Sequence, residues 1–263
     1  MSRRDLLLKE LGLTVWRQRA GHADSAAAPD DAPLPDAIIA ATPVVVADET
    51  VMPPEPAQTI PDLPPPAEAR QEAPVLRDWA DLEQQVPACR RCSLNETRTR
   101  TALERGNRQA ALMIVGEAPG EQEDRLGQPF VGPAGKLLDA MLTATGWDPE
   151  RDVYIANVLK CRPPGNRNPQ QAEMVACVDY LADQLRLVQP KLILCVGRIA
   201  TQALLDSEQA ISRLRGQVHH WHGVPLIVSY HPAYLLRNLP DKARAWQDLC
   251  FVRRTLAGLT AAG

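Results

Sequence analysis

The sequence has no long apolar run, no secretory cleavage signal and little net charge. A membrane-spanning helix needs about 18 consecutive apolar residues, and no stretch of the chain supplies them. The start of the chain carries acidic residues within its short apolar region and lacks a small-residue cleavage site. We therefore expect a cytoplasmic protein without a membrane partner. Thiols stay reduced in that compartment, so the six cysteines are not expected to form disulfides.

The net charge of −3 would by itself argue against a partner that carries phosphates. However, the charge is distributed unevenly. Residues 21–74 hold ten acidic side chains and one basic side chain, whereas residues 75–263 have an excess of basic side chains. The part of the chain that carries folding signals is therefore mildly basic, and a nucleic-acid partner remains open.

Composition divides the chain into three parts. Residues 1–20 place apolar side chains at helical spacing between Arg and Lys, which predicts a short amphipathic helix and a surface for a protein partner. Residues 21–74 contain twelve of the 24 prolines and no aromatic residue, so they cannot bury enough apolar area to fold. We interpret them as a disordered linker. Residues 75–263 are predicted to form the folded domain.

The folded domain alternates apolar runs with amphipathic stretches. Two amphipathic stretches, residues 134–146 and 169–188, predict helices, the second with Asn168 as its N-cap and Pro169 at its first position. Alternation of strand and helix predicts an α/β fold of three layers, α/β/α, around a central, mainly parallel four-stranded sheet. The four predicted strands are residues 111–115, 153–158, 192–196 and 225–228.

Polar motifs follow three of the predicted strands. Gly116 and Glu117 follow the first, Asn157 closes the second, and His231 lies just beyond the fourth. In a parallel sheet the ligand crevice lies beyond the carboxyl ends of the strands. We therefore expect these residues to meet in one site.

Four of the cysteines form a candidate metal site. Cys89 and Cys92 form a C-x2-C pair in an Arg-rich loop, and Cys161 and Cys177 flank a Pro-rich turn and the helix after it. Four thiolates suit either zinc or an iron-sulfur cluster, and the spacing alone does not choose between the two.

Two glycine-rich segments follow the first strand. They match neither a dinucleotide-binding fingerprint nor a P-loop, so binding of a nucleoside triphosphate is poorly supported. Phe130, one of two Phe in the chain, lies in the second segment between Pro129 and Gly132. Core packing is not expected for a loop residue, so Phe130 is a candidate stacking surface.

Five elements together resemble the type-4 uracil-DNA glycosylases. Besides the four cysteines they are GEAPGEQED (116–124), GQPFVGPAG (127–135), NVLKCRPPGNRNP (157–169) and SYHPAYLLR (229–237). The resemblance covers residues 75–260. It implies the uracil-DNA glycosylase fold, hydrolysis of the bond between uracil and deoxyribose in DNA, and a 4Fe-4S cluster held by Cys89, Cys92, Cys161 and Cys177.

The resemblance also implies roles for the uracil-binding residues. Gly116, Ala118, Phe130 and Asn157 would surround the base, with Phe130 stacked on the ring and Asn157 reading its edge. The Asn157 amide accepts from N3–H and donates to O4, a pattern that cytosine does not match. His231 would face uracil O2 and stabilise the negative charge that develops as the bond breaks.

Activation of the attacking water is less well defined by the sequence. Better-known uracil glycosylases have an Asp at the position of Ala118, so Glu117 and Glu123 are the candidate catalytic carboxylates here, with Asp124 as a neighbour. Leu235, four residues after His231, is the candidate wedge that fills the gap left by the flipped nucleotide. Arg237 would then bind a DNA phosphate.

Two other functions remain compatible with these motifs. One is a non-catalytic iron-sulfur protein that binds nucleic acid, related to domains associated with phage polymerases. The other is a zinc-dependent nucleoside or nucleotide hydrolase that acts on small substrates. Intact Phe130, Asn157 and His231 argue against the first, and the wedge segment argues against the second. We expect a monomer that acts on uracil-containing DNA.

Overall fold

The computed structural model describes residues 77–261. The amphipathic helix predicted for residues 1–20 and the linker predicted for residues 21–74 lie outside this range, and both stay predictions. Within it, no helix is long and apolar enough to cross a membrane.

The described residues contain one sheet of six strands in the order β1-β3-β2-β4-β6-β5. The four inner strands run parallel, and β1 and β5 pair antiparallel at the two edges. The strands are β1 (Arg105–Gly106), β2 (Leu112–Gly116), β3 (Val153–Asn157), β4 (Leu192–Val196), β5 (Val218–Trp221) and β6 (Val224–Ser229).

The sheet was predicted to have four strands, and this prediction missed the two edge strands, β1 and β5. The four predicted strands are the four inner ones, whose side chains are buried on both faces and therefore give continuous apolar runs. β1 has only two residues, too few for a pattern. β5 carries two histidines and has an exposed face, so it shows no apolar run.

Helices lie between the strands and after the last one. The helix predicted from Pro169 begins instead at Gln171. The carboxylate of Glu173 accepts the main-chain N–H of Gln170 at 2.8 Å and thereby fixes Gln170 as the N-cap. In the described range the α-helices are α1 (Trp79–Ala88), α2 (Glu121–Leu126), α3 (Pro133–Ala144), α4 (Gln171–Val188), α5 (Arg198–Leu205), α6 (Ile211–Leu214), α7 (Pro232–Leu235) and α8 (Asp241–Ala261).

Successive residues of the inner strands point to opposite faces of the sheet, and each face is covered by helices. Met113 and Val115 of β2 belong to a buried cluster that includes side chains of α4 and α5. Leu112 and Ile114 belong to a second cluster with side chains of α3 and α8. The predicted three-layer α/β/α architecture is therefore confirmed.

The register of the parallel strands brings the polar motifs to one edge. Gly116, the last residue of β2, lies beside Asn157, the last residue of β3. Val196 of β4 lies beside Ser229 of β6. The residues that follow these strands therefore emerge together at the carboxyl edge of the sheet.

Candidate active site and four-cysteine site

A cleft of about 920 Å³ opens at the carboxyl edge of the sheet. Seven of the predicted site residues line it: Glu117, Ala118, Glu123, Phe130, Asn157, His231 and Arg237. Gly116 lies directly behind this wall. The sequence-based expectation that these motifs meet in one site is therefore confirmed by geometry.

Gly116 brings the aromatic ring and the amide of the site together. A Cβ atom at this position would lie 2.5 Å from Oδ1 of Asn157 and 2.5 Å from Cζ of Phe130. Neither neighbour can withdraw, because both are buried. Only glycine allows this close approach, which explains why the motif begins with it.

Phe130 is held in an unusual backbone conformation. Its φ angle is 56°, which is uncommon for a residue with a side chain. Its carbonyl oxygen accepts a hydrogen bond of 2.6 Å from the guanidinium of Arg105, and a Cβ atom at Gly135 would collide with that oxygen. The ring centroid lies 5.6 Å from that of His231. These contacts fix the position of the ring in the wall of the cleft.

Asn157 presents an unused acceptor at the bottom of the cleft. The residue is 1% exposed, and its Oδ1 atom is buried without a hydrogen-bond partner among the described residues. An unpaired buried carbonyl costs about 1–3 kcal/mol, so it marks a position where a ligand supplies the donor.

His231 is neutral, and its proton lies on Nε2. Its Nδ1 atom accepts the main-chain N–H of Ala233 at 3.1 Å, so Nδ1 cannot carry a hydrogen there. Burial lowers the pKa of His231 to about 4, and the charge of Arg237 makes a smaller contribution in the same direction. The His231 side chain is partly exposed, on the side that faces the cleft. The ring therefore offers a neutral N–H donor at physiological pH.

We expect the cleavage rate to be insensitive to pH where a free histidine titrates, near 6.5. His231 should stay neutral until the pH approaches 4. Single-turnover rates between pH 8 and pH 5 should be measured for the wild type and for His231→Gln, in which every other titrating group remains. A fall in rate through pH 6.5 that the wild type shows and His231→Gln lacks would contradict the neutral assignment.

The same pKa shift has a consequence for stability. Below pH 6.5 the unfolded chain binds a proton at His231 that the folded protein does not bind until about pH 4. The contribution of the neutral ring to stability is therefore present above pH 6.5 and is lost as the pH falls towards 4.

The two predicted catalytic carboxylates have different surroundings. Burial raises the pKa of Glu117, and the charge of Arg198 opposes that shift. Glu123 accepts main-chain N–H groups of Gly120, Val131 and Gly132 at 3.1, 2.9 and 2.7 Å. Glu123 thus joins the two glycine-rich segments. The carboxylate of Glu117 accepts none of these main-chain hydrogen bonds.

The neighbours of these carboxylates have structural contacts. Asp124 is buried and accepts the main-chain N–H groups of Thr99 and Arg100. Ala118 lines the cleft and also packs against the apolar cluster beside the cysteines. Asp124 therefore holds in place the loop that contains Thr99 and Arg100.

The structure contradicts the wedge role predicted for Leu235. Its side chain is 0% exposed, because α7 turns it into the interior. The exposed apolar side chains of this segment are those of Leu236 and Leu239. Arg237 is exposed and lines the cleft, as its predicted role requires.

The sequence interpretation missed two residues that follow β4. Gly197 has a φ angle of 97°, and a Cβ atom there would lie 2.9 Å from Cβ of His231. Arg198 follows it and lines the cleft. Their position in the sequence could have identified them as site residues, because they directly follow an apolar strand, as the recognised motifs do.

The four predicted metal ligands line one cavity next to α1 and α4. Cys89 follows α1, Cys92 precedes a 3-10 helix, and Cys177 lies on α4. Burial raises the pKa of Cys161 and raises that of Cys177 to about 11, so neither thiol is a free nucleophile at neutral pH.

The cations beside the four cysteines suit an anionic group. Arg98 donates a hydrogen bond of 3.0 Å to Sγ of Cys161, and Lys160 lines the same cavity. No three His, Cys, Asp or Glu side chains in residues 77–261 converge on a point where they could hold a single ion. A 4Fe-4S cluster does not require such convergence, because its four thiolates bind different irons.

Lys160 connects the cysteine cavity with the main chain of Asn157. The side chain is buried, and Nζ donates to the main-chain carbonyl of Asn157 at 2.6 Å and to Oε1 of Gln184 at 2.5 Å. Gln184 in turn donates to the carbonyl of Leu103 and to the hydroxyl of Tyr154. This role was not predictable from the sequence, because Lys is rarely buried.

The three histidines near residue 220 lie at an edge of the sheet. His219 and His220 are on β5, and His222 follows in the turn. His219 contacts the carbonyl of Leu214 through Nε2 at 2.8 Å.

Comparison with known proteins gives consistent matches. The family model described as "Uracil DNA glycosylase superfamily" matches residues 103–250. A type-4 uracil-DNA glycosylase of Archaeoglobus fulgidus is 47% identical over 164 residues, which are 59% of this chain and 82% of the relative. Type-4 enzymes of Thermotoga maritima and Saccharolobus solfataricus are 40% and 36% identical, over 62% and 67% of this chain and 85% of each relative.

Proposed function

The chain belongs to the uracil-DNA glycosylase superfamily and within it to the type-4 enzymes, and we propose that it excises uracil from DNA as a repair hydrolase. Water replaces the base at C1′ of the deoxyribose, which releases free uracil and leaves an abasic site. The observation that carries the proposal is the unpaired, buried Oδ1 of Asn157 beneath the fixed ring of Phe130.

Recognition requires that the nucleotide leave the helix and enter the cleft. Phe130 stacks on the uracil ring, a contact worth about 1–3 kcal/mol. Asn157 Oδ1 accepts from uracil N3–H, and its NH2 group donates to O4. Cytosine has an acceptor at N3 and a donor at its exocyclic amine, so both contacts would fail with cytosine.

The neutral state of His231 determines how this residue assists cleavage of the glycosidic bond. As the bond between C1′ and N1 breaks, its electron pair passes to the uracil ring, and negative charge accumulates on O2. The Nε2–H of His231 donates to that oxygen, which lowers the energy of the transition state and of the uracil anion. The departing anion later takes up a proton from solvent.

Glu117 is the carboxylate that we assign to the water. It takes a proton from the water as the oxygen bonds to C1′. Glu123, predicted as the second catalytic carboxylate, acts instead by positioning the loop of Phe130, because its two oxygen atoms already accept three N–H groups. Arg198 and Arg237 supply positive charge to the cleft for the DNA phosphates.

Release of free uracil from a single-site deoxyuridine oligonucleotide tests the proposal. The same oligonucleotide with cytosine or thymine at that site is the control and should release no base. A protein that binds the oligonucleotide without releasing uracil would instead be a non-catalytic binder. Activity on deoxyuridine mononucleotide equal to that on the oligonucleotide would indicate a nucleoside hydrolase.

We propose that Cys89, Cys92, Cys161 and Cys177 hold a 4Fe-4S cluster. The nearby cations Arg98 and Lys160 fit the net negative charge of such a cluster, and no three ligand side chains in residues 77–261 converge as a single zinc ion would require. The cluster would be structural, joining α1 to the loop that follows β3, and none of the cysteines lines the uracil cleft.

Purified protein is expected to be brown, with broad visible absorption and about four irons per chain. Iron and zinc should be measured in protein prepared without oxygen. Cys89→Ala should reduce soluble yield and iron content more than it reduces the cleavage rate of the protein that remains folded. Stoichiometric zinc in place of iron would contradict this assignment.

Residues 1–74 are proposed to serve recruitment rather than catalysis, because every site residue lies after them. Deleting them should leave the rate of uracil release from short oligonucleotides within about twofold of the full chain, since they add no group to the cleft. A large loss of turnover in the truncated protein would show that this part of the chain belongs to the active domain.

A further inference from the structure

Two tyrosines lie in the same cleft as the uracil pocket, but excision of the base does not use them. Tyr230 follows β6 and Tyr234 lies on α7, and both line the cleft beyond His231. Their rings are stacked, with centroids 5.4 Å apart and planes inclined by 17°. Tyr234 is 37% exposed, so the pair offers an aromatic surface to a ligand.

This aromatic surface is fixed by polar contacts on both rings. The hydroxyl of Tyr234 donates to Asp241 at 2.6 Å, and Asp241 pairs with Arg244 at 2.9 Å. The guanidinium of Arg215 lies 5.5 Å from the centroid of the Tyr230 ring.

Arg215 is itself fixed, because it is paired with the buried carboxylate of Asp248 at 2.7 Å. Rings held in this way lose little conformational freedom when a ligand stacks on them.

The charge around the tyrosines fits a nucleic-acid strand. Arg198, Arg237 and Arg244 line the same cleft as Tyr230 and Tyr234. Asp241, the nearest carboxylate to the pair, is neutralised by Arg244. Basic side chains interleaved with exposed aromatic rings are typical of sites for single-stranded nucleic acid, where bases stack and phosphates are neutralised.

We propose that Tyr234, supported by Tyr230, is a stacking subsite for an unpaired base next to the flipped deoxyuridine. In a duplex that neighbouring base stays paired and stacked within the helix, so it cannot reach Tyr234. In a single strand or a locally opened duplex it is free to do so. The subsite therefore makes unpaired DNA the preferred substrate class, and this inference rests on the proposed glycosylase function.

The experiment uses the full chain and oligonucleotides with a 2′-fluorinated deoxyuridine, whose glycosidic bond resists cleavage. The fluorescent base 2-aminopurine is placed on either side of the analogue, because stacking on an aromatic ring quenches it. We expect quenching at one of the two positions in single strands, and little in duplexes. Tyr234→Ala should abolish the quenching and weaken single-strand binding about 5- to 150-fold, with a smaller change for the duplex.

Two matched variants separate stacking from other effects. Tyr234→Phe keeps the ring and loses only the bond to Asp241, so it should retain the quenching. Trp246→Ala removes another exposed aromatic side chain, 44% exposed and outside the cleft, and should leave binding unchanged. Equal losses on single strands and duplexes in Tyr234→Ala, or quenching that survives in it, would overturn the subsite.

Wild-type release of uracil from the unmodified oligonucleotide is measured alongside. If the wild type releases uracil but the fluorescence does not depend on Tyr234, the subsite fails and the glycosylase function stands. If the wild type releases no uracil, the proposed function fails first.

Discussion

Asn157→Asp is expected to lower uracil excision on the order of 100-fold or more, because it sets two acceptors against each other in a buried site. The substitution replaces the NH2 group that donates to uracil O4 with an oxygen. The other carboxylate oxygen can still accept from N3–H. Position 157 is 1% exposed, so water cannot relieve the repulsion.

The same change should produce weak cytosine excision. Burial raises the pKa of a carboxyl group, so part of the variant population carries a proton at position 157. A protonated carboxyl donates to cytosine N3 and accepts from the exocyclic amine, which matches the edge of cytosine. Cytosine excision should therefore rise as the pH falls.

Excision by this variant is measured on paired oligonucleotides that differ only in uracil or cytosine. Asn168→Asp is the matched control, since it places the same charge in the same cleft. It should weaken DNA binding without changing the ratio of uracil to cytosine excision. An unchanged ratio in Asn157→Asp would show that this residue does not read the base.

The inner sheet was predictable from the sequence because its strands are buried on both faces. β2, β3 and β4 are wholly buried, and burial of every residue produces an apolar run that polar segments interrupt on both sides. The position of the site followed from the same pattern, since parallel strands that alternate with helices end at one edge. The sequence therefore predicts that Gly116, Asn157 and His231 lie in one site.

The direction of individual side chains was not predictable from the motifs. Leu235 and Leu236 are adjacent apolar residues, and only the orientation of α7 decides that Leu235 is buried and Leu236 exposed. Glu123 and Glu117 belong to one motif, yet the main-chain donors eight and nine residues after Glu123 hold only Glu123. Such differences depend on contacts between segments, which a single sequence does not display.

The state of His231 also required the three-dimensional structure. Its neutrality depends on the N–H of Ala233, on burial against the cleft wall and on the charge of Arg237. Two of these groups are neighbours in sequence, but the hydrogen bond forms only because α7 begins at Pro232. The sequence identified the residue, and the fold determined how it acts.

His231→Ala is expected to lower the single-turnover cleavage rate by about 10- to 1000-fold, the range for loss of one donor to a developing oxyanion. Affinity for uracil-containing DNA should change much less. Charge on uracil O2 develops mainly as the glycosidic bond breaks, so the lost hydrogen bond matters most in the transition state. His231→Gln, which can restore an N–H donor, should recover part of the rate.

Cleavage and affinity must be measured at one salt concentration, because contacts with phosphates make binding steeply salt-dependent. His220→Ala, on the exposed edge strand β5, removes a histidine outside the cleft and should cleave at the wild-type rate. If His231→Ala also cleaves at that rate, the leaving-group role fails although membership of the family stands. If its affinity falls while its saturated single-turnover rate stays at the wild-type value, His231 holds the ground-state base rather than the departing anion, because uniform loss of binding leaves the saturated rate unchanged.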